Sequence, residues 1–226
     1  MPVLAIDGPS GAGKSSVAKA IAARYGWSYL DTGALYRALT FFSIDAGIES
    51  ASEIPLRLPE EAIRWSGNPA KPEIYLGKRL INDEIRTEEV TSRVSVVAAD
   101  PAVRAFLLSM QRSIIKDAAP GIVVEGRDIG TTVWPDAELK IFLTADLQAR
   151  AQRRNAELQA NLSDSDVQRS LASRDQIDST RNVSPLRQSE DQIVIDATHL
   201  SFDQVVAEII RIIIELKLSN DDGSHE

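Results

Sequence analysis

The chain has 226 residues, 43% hydrophobic and 26% charged, which is enough for a packed core and argues against disorder. With no cysteine, disulfides, thiolate metal sites and cysteine nucleophiles are excluded, and two histidines leave little for a Ser-His-Asp triad or a histidine zinc site. A net charge of −8 argues against a nucleic-acid partner, although 18 of the 25 basic residues are arginine, whose planar fork suits phosphates and carboxylates.

VLAIDG (3–8) reads as a short buried strand. The start carries no basic, cleavable signal pattern, and no run approaches the about 18 apolar residues a bilayer span needs, so a cytoplasmic protein without a membrane partner is expected. GPSGAGKSS follows, then a helical stretch to about Tyr25 and a second strand over 27–31. GALYRALTFFSIDAG predicts a helix that Gly47 ends. From about 48 to 86 the pattern changes: prolines punctuate it, and EIYLGKRLI alternates around Gly77 like a β-hairpin, as expected of an insertion.

Two helices, parted at Pro101, precede the short apolar strands GIVVE (121–125) and LKIFL (139–143). An arginine-rich helix, DLQARAQRRNAEL, is followed by the polar segment QANLSDSD and the helical VQRSLASRDQIDSTR. QIVIDA supplies a fifth strand, Ser201 and Gln204 form a capping-box signature, and the last apolar window shows helical spacing of its charges. Strands and helices alternate, so the expected fold is α/β, a mostly parallel sheet flanked by helices.

GPSGAGKS (8–15) matches the G-x-x-x-x-G-K-[ST] phosphate loop in its required context between strand and helix. Glycines let successive backbone N–H groups curl toward a phosphate, and the helix N-terminus adds positive potential. Gly8, Pro9, Ser10, Gly11, Ala12, Gly13, Lys14, Ser15 and Ser16 are thus the candidate nucleoside triphosphate loop. Lys14 is expected to reach the β- and γ-phosphates, and the hydroxyl of Ser15 to hold Mg²⁺. The loop alone does not say what is done with the nucleotide. No Asn-Lys-x-Asp guanine reader is present, and the length suits a small-molecule kinase.

Three further stretches accompany the loop: DTGALYR (31–37), EGRDIGTTVWPDA (125–137) and RDQIDSTR (174–181). In this order and spacing, over nearly the whole chain, they resemble the bacterial cytidylate kinases. The resemblance implies a P-loop kinase core with a five-stranded parallel sheet (1–38, 84–150 and 182–218). It implies an inserted monophosphate-binding lobe with a small antiparallel sheet (39–83), a lid (151–181) and a flexible tail (219–226). The implied reaction is phosphorylation of CMP and dCMP by ATP with Mg²⁺, by a monomer. A kinase for a different monophosphate, shikimate or dephospho-coenzyme A is the alternative enzyme, and a nucleotide-gated regulator the non-enzymatic one.

The resemblance also carries residue roles. Thr32 would touch the cytosine edge, Ser95 would lie near the ribose, and Arg104 would contact cytosine. Arg37 and Arg127 would grip phosphate, and Asp128 would read the base. Arg174 and Asp178 would sit near the sugar hydroxyls, with Arg181 on the phosphates. Lys14, Arg127 and Arg181 form the implied catalytic set, and Arg154 is a lid candidate for ATP alongside Arg150 and Arg153. A carboxylate is the natural acceptor for the exocyclic amino group of cytosine, whereas uracil presents a carbonyl there. Glu125 ends its strand either as a Mg²⁺-orienting acid or as a plain strand-end acid.

Overall fold

Alternation along β1 (Val3–Asp7) shows how the core is divided. Val3 and Ala5 point to one face of the sheet, Leu4 and Ile6 to the other, and each set joins a separate apolar cluster. A strand buried on both faces belongs at the centre of a parallel sheet. In the computed structural model, which describes residues 1–59, 62–158 and 163–218, β1 occupies that centre. The proposed tail, 219–226, lies outside the described residues.

β2 (Ser28–Asp31), β6 (Ile122–Gly126), β7 (Leu139–Thr144) and β8 (Ile193–Asp196) complete the five-stranded sheet in the order β2-β6-β1-β7-β8. Every pairing in it is parallel. The chain therefore leaves β1 in one direction to build one half and returns past it to build the other. Crevices at such a reversal, beyond the carboxyl ends of the strands, are where ligands bind in open α/β sheets.

α1 (Lys14–Tyr25) and α8 (Phe202–Glu215) cover one face. Val205, Ile209, Ile212 and Ile213 make the buried stripe of α8, and its capping box forms as the sequence indicates, with the Gln204 N–H donating to Ser201 Oγ at 3.2 Å. α2 (Thr32–Asp45), α4 (Glu88–Ala99) and α5 (Pro101–Asp117) cover the other. α2 starts at Thr32, one residue earlier than its apolar pattern suggests, because Asp31 caps it by accepting the Ala34 N–H at 3.0 Å. No single helix among the described residues is long and apolar enough to cross a membrane.

The region after α2 holds the short helix α3 (Ile54–Arg57) and a three-stranded antiparallel sheet of β3 (Ile63–Trp65), β4 (Ile74–Leu76) and β5 (Arg79–Leu80). The hairpin around Gly77 is the expected one. β3 is not legible beforehand, being three residues between prolines. Residue 39 falls inside α2, and Ile54, Ile63, Ile74 and Ile81 share one apolar cluster with Val3 and Ala5 of the main sheet. The segment also covers the edge of β2: Tyr29 donates its N–H to Gly67 at 2.9 Å, and Trp65 Nε1 donates to the Tyr29 carbonyl at 2.6 Å.

After β7 come α6 (Leu147–Leu158) and α7 (Asp164–Thr180). α7 begins within the SDSD read as a polar connection, since Ser163 caps it through the Asp166 N–H at 3.2 Å and two aspartates occupy its first turn.

Candidate active site

The phosphate loop follows β1 at the reversal point. Gly8 has φ +147°, and a Cβ there would lie 2.0 Å from the Leu143 carbonyl oxygen, so only glycine permits the chain to turn away so close to β7. Gly13 precedes α1 in the left-handed region and no side chain caps the helix, which leaves its first N–H groups facing the cleft. Lys14 is buried and donates to the Pro9 carbonyl at 2.7 Å. Burial first, then the nearby Arg127, pulls its ammonium below the usual lysine range, a cost that an arriving polyanion would reverse.

The Ser15 hydroxyl donates to Glu125 Oε2 at 2.9 Å, and the Tyr29 hydroxyl donates to Oε1 of the same carboxylate. Burial and then Asp31 raise the Glu125 carboxyl above the ordinary range. Glu125 is buried and lies beside the serine that ends the loop motif.

From this corner a cleft of about 470 Å³ runs across the strand ends. Thr32, Arg37, Ser95, Arg104, Arg127, Asp128, Arg154, Arg174, Asp178 and Arg181 all line it together with Lys14, Ser15 and Ser16. Ser10, Gly11 and Gly13 line it as well, whereas Gly8, Pro9 and Ala12 stand behind it as the frame of the loop. The far end is a network of ions. Arg104 is bonded to Asp128, which also faces Arg181 Nη2 at 3.4 Å; Asp178 takes Arg127 Nε at 2.9 Å and stands 3.8 Å from Arg181 Nη1. Arg104 lies 5.4 Å from the Tyr36 ring centroid. The Thr32 hydroxyl spends its one proton on the Glu125 carbonyl at 2.8 Å, so toward the cleft it can only accept.

Between these ends arginines crowd together, and Arg37 donates to the Ile85 carbonyl at 3.0 Å and to Thr91 Oγ1 at 2.9 Å. Burial lowers Arg37 to about 10, with Arg154, Arg86 and Arg127 adding to the fall against a compensating pull from Asp31. Burial likewise lowers Arg174 to about 9, helped by Arg127 and Arg37, and its Nε is buried without a hydrogen-bond partner. Buried guanidiniums crowded by other arginines along a cleft suit a polyanion, which would relieve their mutual repulsion.

The three arginines of α6 separate by position. Arg154 lines the cleft; Arg150 instead donates to the Ser10 carbonyl at 3.0 Å and pairs with Asp175, and Arg153 donates to the Ala197 carbonyl. Asp175 in turn accepts the Ser10 N–H at 3.2 Å, so α7 holds the tip of the loop. Asp7, Asp175 and Tyr29 escape the sequence analysis as site residues. A signal existed for Asp7, the lone charge in an otherwise apolar strand.

The sheet order, the phosphate loop and the arginine-lined cleft define a P-loop kinase. The cytidylate kinase family model matches residues 4–215, and the chain belongs to that family. It is 47% identical over 214 residues to a cytidylate kinase of Streptomyces griseus, covering 93% of this chain and 92% of that one. A cytidylate kinase of Pseudomonas aeruginosa is 45% identical over 219 residues, covering 93% and 94%. Among solved structures, shikimate kinase from Acinetobacter baumannii in complex with shikimate superposes with a TM-score of 0.50 at 14% identity over 97% of this chain and 96% of that one, a likeness of fold alone.

Proposed function

We propose that the chain transfers the γ-phosphoryl group of ATP to the 5′-phosphate of CMP and dCMP, giving ADP with CDP or dCDP. The observation that carries the reading is a base end that presents the Asp128 carboxylate and the Thr32 hydroxyl oxygen beside a cationic middle. Asp128 and Thr32 both offer oxygen lone pairs, which suits the amino edge of cytosine and disfavours the carbonyl edge of uracil. A buried acceptor facing another acceptor costs about 1–3 kcal/mol, enough for strong discrimination.

The attacking oxygen of the monophosphate needs no general base, because its second pKa is near 6 and it is largely ionised at neutral pH. It forms the new bond to the γ-phosphorus as the bond to the β–γ bridging oxygen breaks, and ADP leaves with that electron pair. The remaining task is to bring two polyanions together and spread the charge of the transferred group. In this reading Lys14 draws the β- and γ-phosphates. Arg37 and Arg127 hold the acceptor phosphate, Arg181 completes the catalytic set, and Arg154 closes on ATP. Ser95, Arg174 and Asp178 frame the sugar, and Arg104 holds Asp128 beside the base.

The oxygens at Ser15 and Glu125 suit Mg²⁺, a hard ion usually held by one or two protein oxygens together with substrate phosphates and water. Among the described residues no group of three or more His, Cys, Asp or Glu forms a self-sufficient metal cage, which agrees with an ion that arrives with ATP. Bound there, it would neutralise charge on the β- and γ-phosphates. The reading extends to a monomer in the cytoplasm, with 39–83 as the monophosphate lobe and 151–181 as the lid.

A coupled assay of ATP consumption with CMP, dCMP, UMP, AMP and shikimate, each alone, tests the proposal. Turnover with CMP and dCMP is expected, with little ATP hydrolysis when no acceptor is present. Absence of turnover with both cytidine acceptors would sink it.

A further inference from the structure

Asp7 ends β1 one residue before the phosphate loop, is fully buried, and does not line the cleft. Its carboxylate nevertheless accepts hydrogen bonds at both oxygens. Oδ1 accepts the N–H of Ile129 at 2.7 Å, and Oδ2 accepts the N–H of Gly130 at 2.8 Å and Nε2 of Gln192 at 3.0 Å. The two backbone donors open a π-helical turn, Ile129–Val133, and N–H groups in a first turn have no partner within their own helix.

That turn starts directly after Arg127 and Asp128, the residues assigned above to phosphate and base. It closes back on the same point, since Thr132 and Val133 donate their N–H groups to the Asp128 carbonyl at 2.9 and 3.1 Å. On its outer side Arg112 donates to the Val133 and Thr132 carbonyls at 3.0 and 3.1 Å. The turn is thus clamped by side chains from both ends, and Asp7 is the clamp that comes from the strand carrying the phosphate loop.

We propose that Asp7 is a positioning residue for acceptor recognition: by holding the turn at Ile129 and Gly130 it sets where Arg127 and Asp128 stand relative to the loop. The inference rests on the reading of the site given above. An ionised carboxylate suits the task because it accepts at both oxygens; an asparagine offers one acceptor and one donor, and its donor would meet one of the two N–H groups head on. Burial raises the Asp7 carboxyl to about 6, while the Ile129 and Gly130 N–H groups favour the ionised form.

Steady-state kinetics of Asp7→Asn and Gln192→Ala, with CMP, UMP and ATP varied separately, test the role. For Asp7→Asn the KM for CMP rises about tenfold or more and the preference for CMP over UMP falls, while the KM for ATP stays within about twofold. Gln192→Ala, which loosens Oδ2 without altering β1, shifts the same quantities the same way by less. Unchanged KM for CMP and unchanged preference would overturn the proposal. So would a KM for ATP that rises in step with that for CMP, which would make Asp7 a support of the phosphate loop instead. If Asp7→Asn does not fold, Gln192→Ala decides on the same criteria. A wild type that phosphorylates another monophosphate instead of CMP would sink the functional reading, yet the same kinetics with that acceptor would still decide the role of Asp7.

Discussion

The two ends of the cleft meet anions by different means. At the loop end the binding groups are backbone N–H donors aimed by glycines and by the start of α1, with Lys14 as the one buried cation among the loop's own side chains. At the proposed acceptor end the candidate groups are side chains gathered from several elements: Thr32 and Arg37 from α2, Ser95 from α4, Arg104 from α5, Asp128 after β6, and Arg174, Asp178 and Arg181 from α7 and its end. A backbone nest recognises phosphate whatever it is attached to. A network of ion pairs with a hydroxyl and a carboxylate on its rim can choose a base. The division suits an enzyme whose donor and acceptor both carry phosphates but only one of which must be told apart by its edge.

Substitutions at either end separate the two kinds of recognition. At the loop end the effect is largest: Lys14→Ala should lower kcat by roughly 10²–10³, with CMP-over-UMP preference kept, because it removes charge stabilisation common to any acceptor. Single-turnover rates with saturating ATP check it, and a loss below about tenfold would contradict the role of Lys14. At the acceptor end, Thr32→Val should lower kcat/KM for CMP by about fivefold to tenfold and leave the KM for ATP unchanged, since one acceptor is lost. Thr32→Ser, which keeps the hydroxyl, should stay near wild type. Equal behaviour of the valine and serine variants would remove Thr32 from base recognition.

How far the sequence leads follows the same division. GPSGAGKS is contiguous, so glycine spacing between strand and helix was sufficient to locate the loop and Lys14. The parallel sheet was legible because its central strands, buried on both faces, are largely apolar, as in VLAID and GIVVE. The acceptor end has no local signature: Arg104, Asp128 and Arg181 meet only after the chain has folded, and resemblance of whole motifs was needed to group them. β3 stayed hidden because three residues show no periodicity, and the start of α7 because caps and first-turn aspartates look like a polar loop. Glu125 was ambiguous for a different reason. Its strand position fits a Mg²⁺-orienting acid and a plain strand-end acid alike, and its bonds from Ser15 and Tyr29 exist only in the folded chain.

In the proposed function the acceptor end selects cytosine through oxygen acceptors fixed in place. Asp128→Asn tests it most directly, because shape and volume are kept while an acceptor-only group gains a donor suited to uracil. Measured as the ratio of kcat/KM for CMP to that for UMP, the preference should fall by about tenfold or more. A ratio equal to that of the wild type would contradict the account.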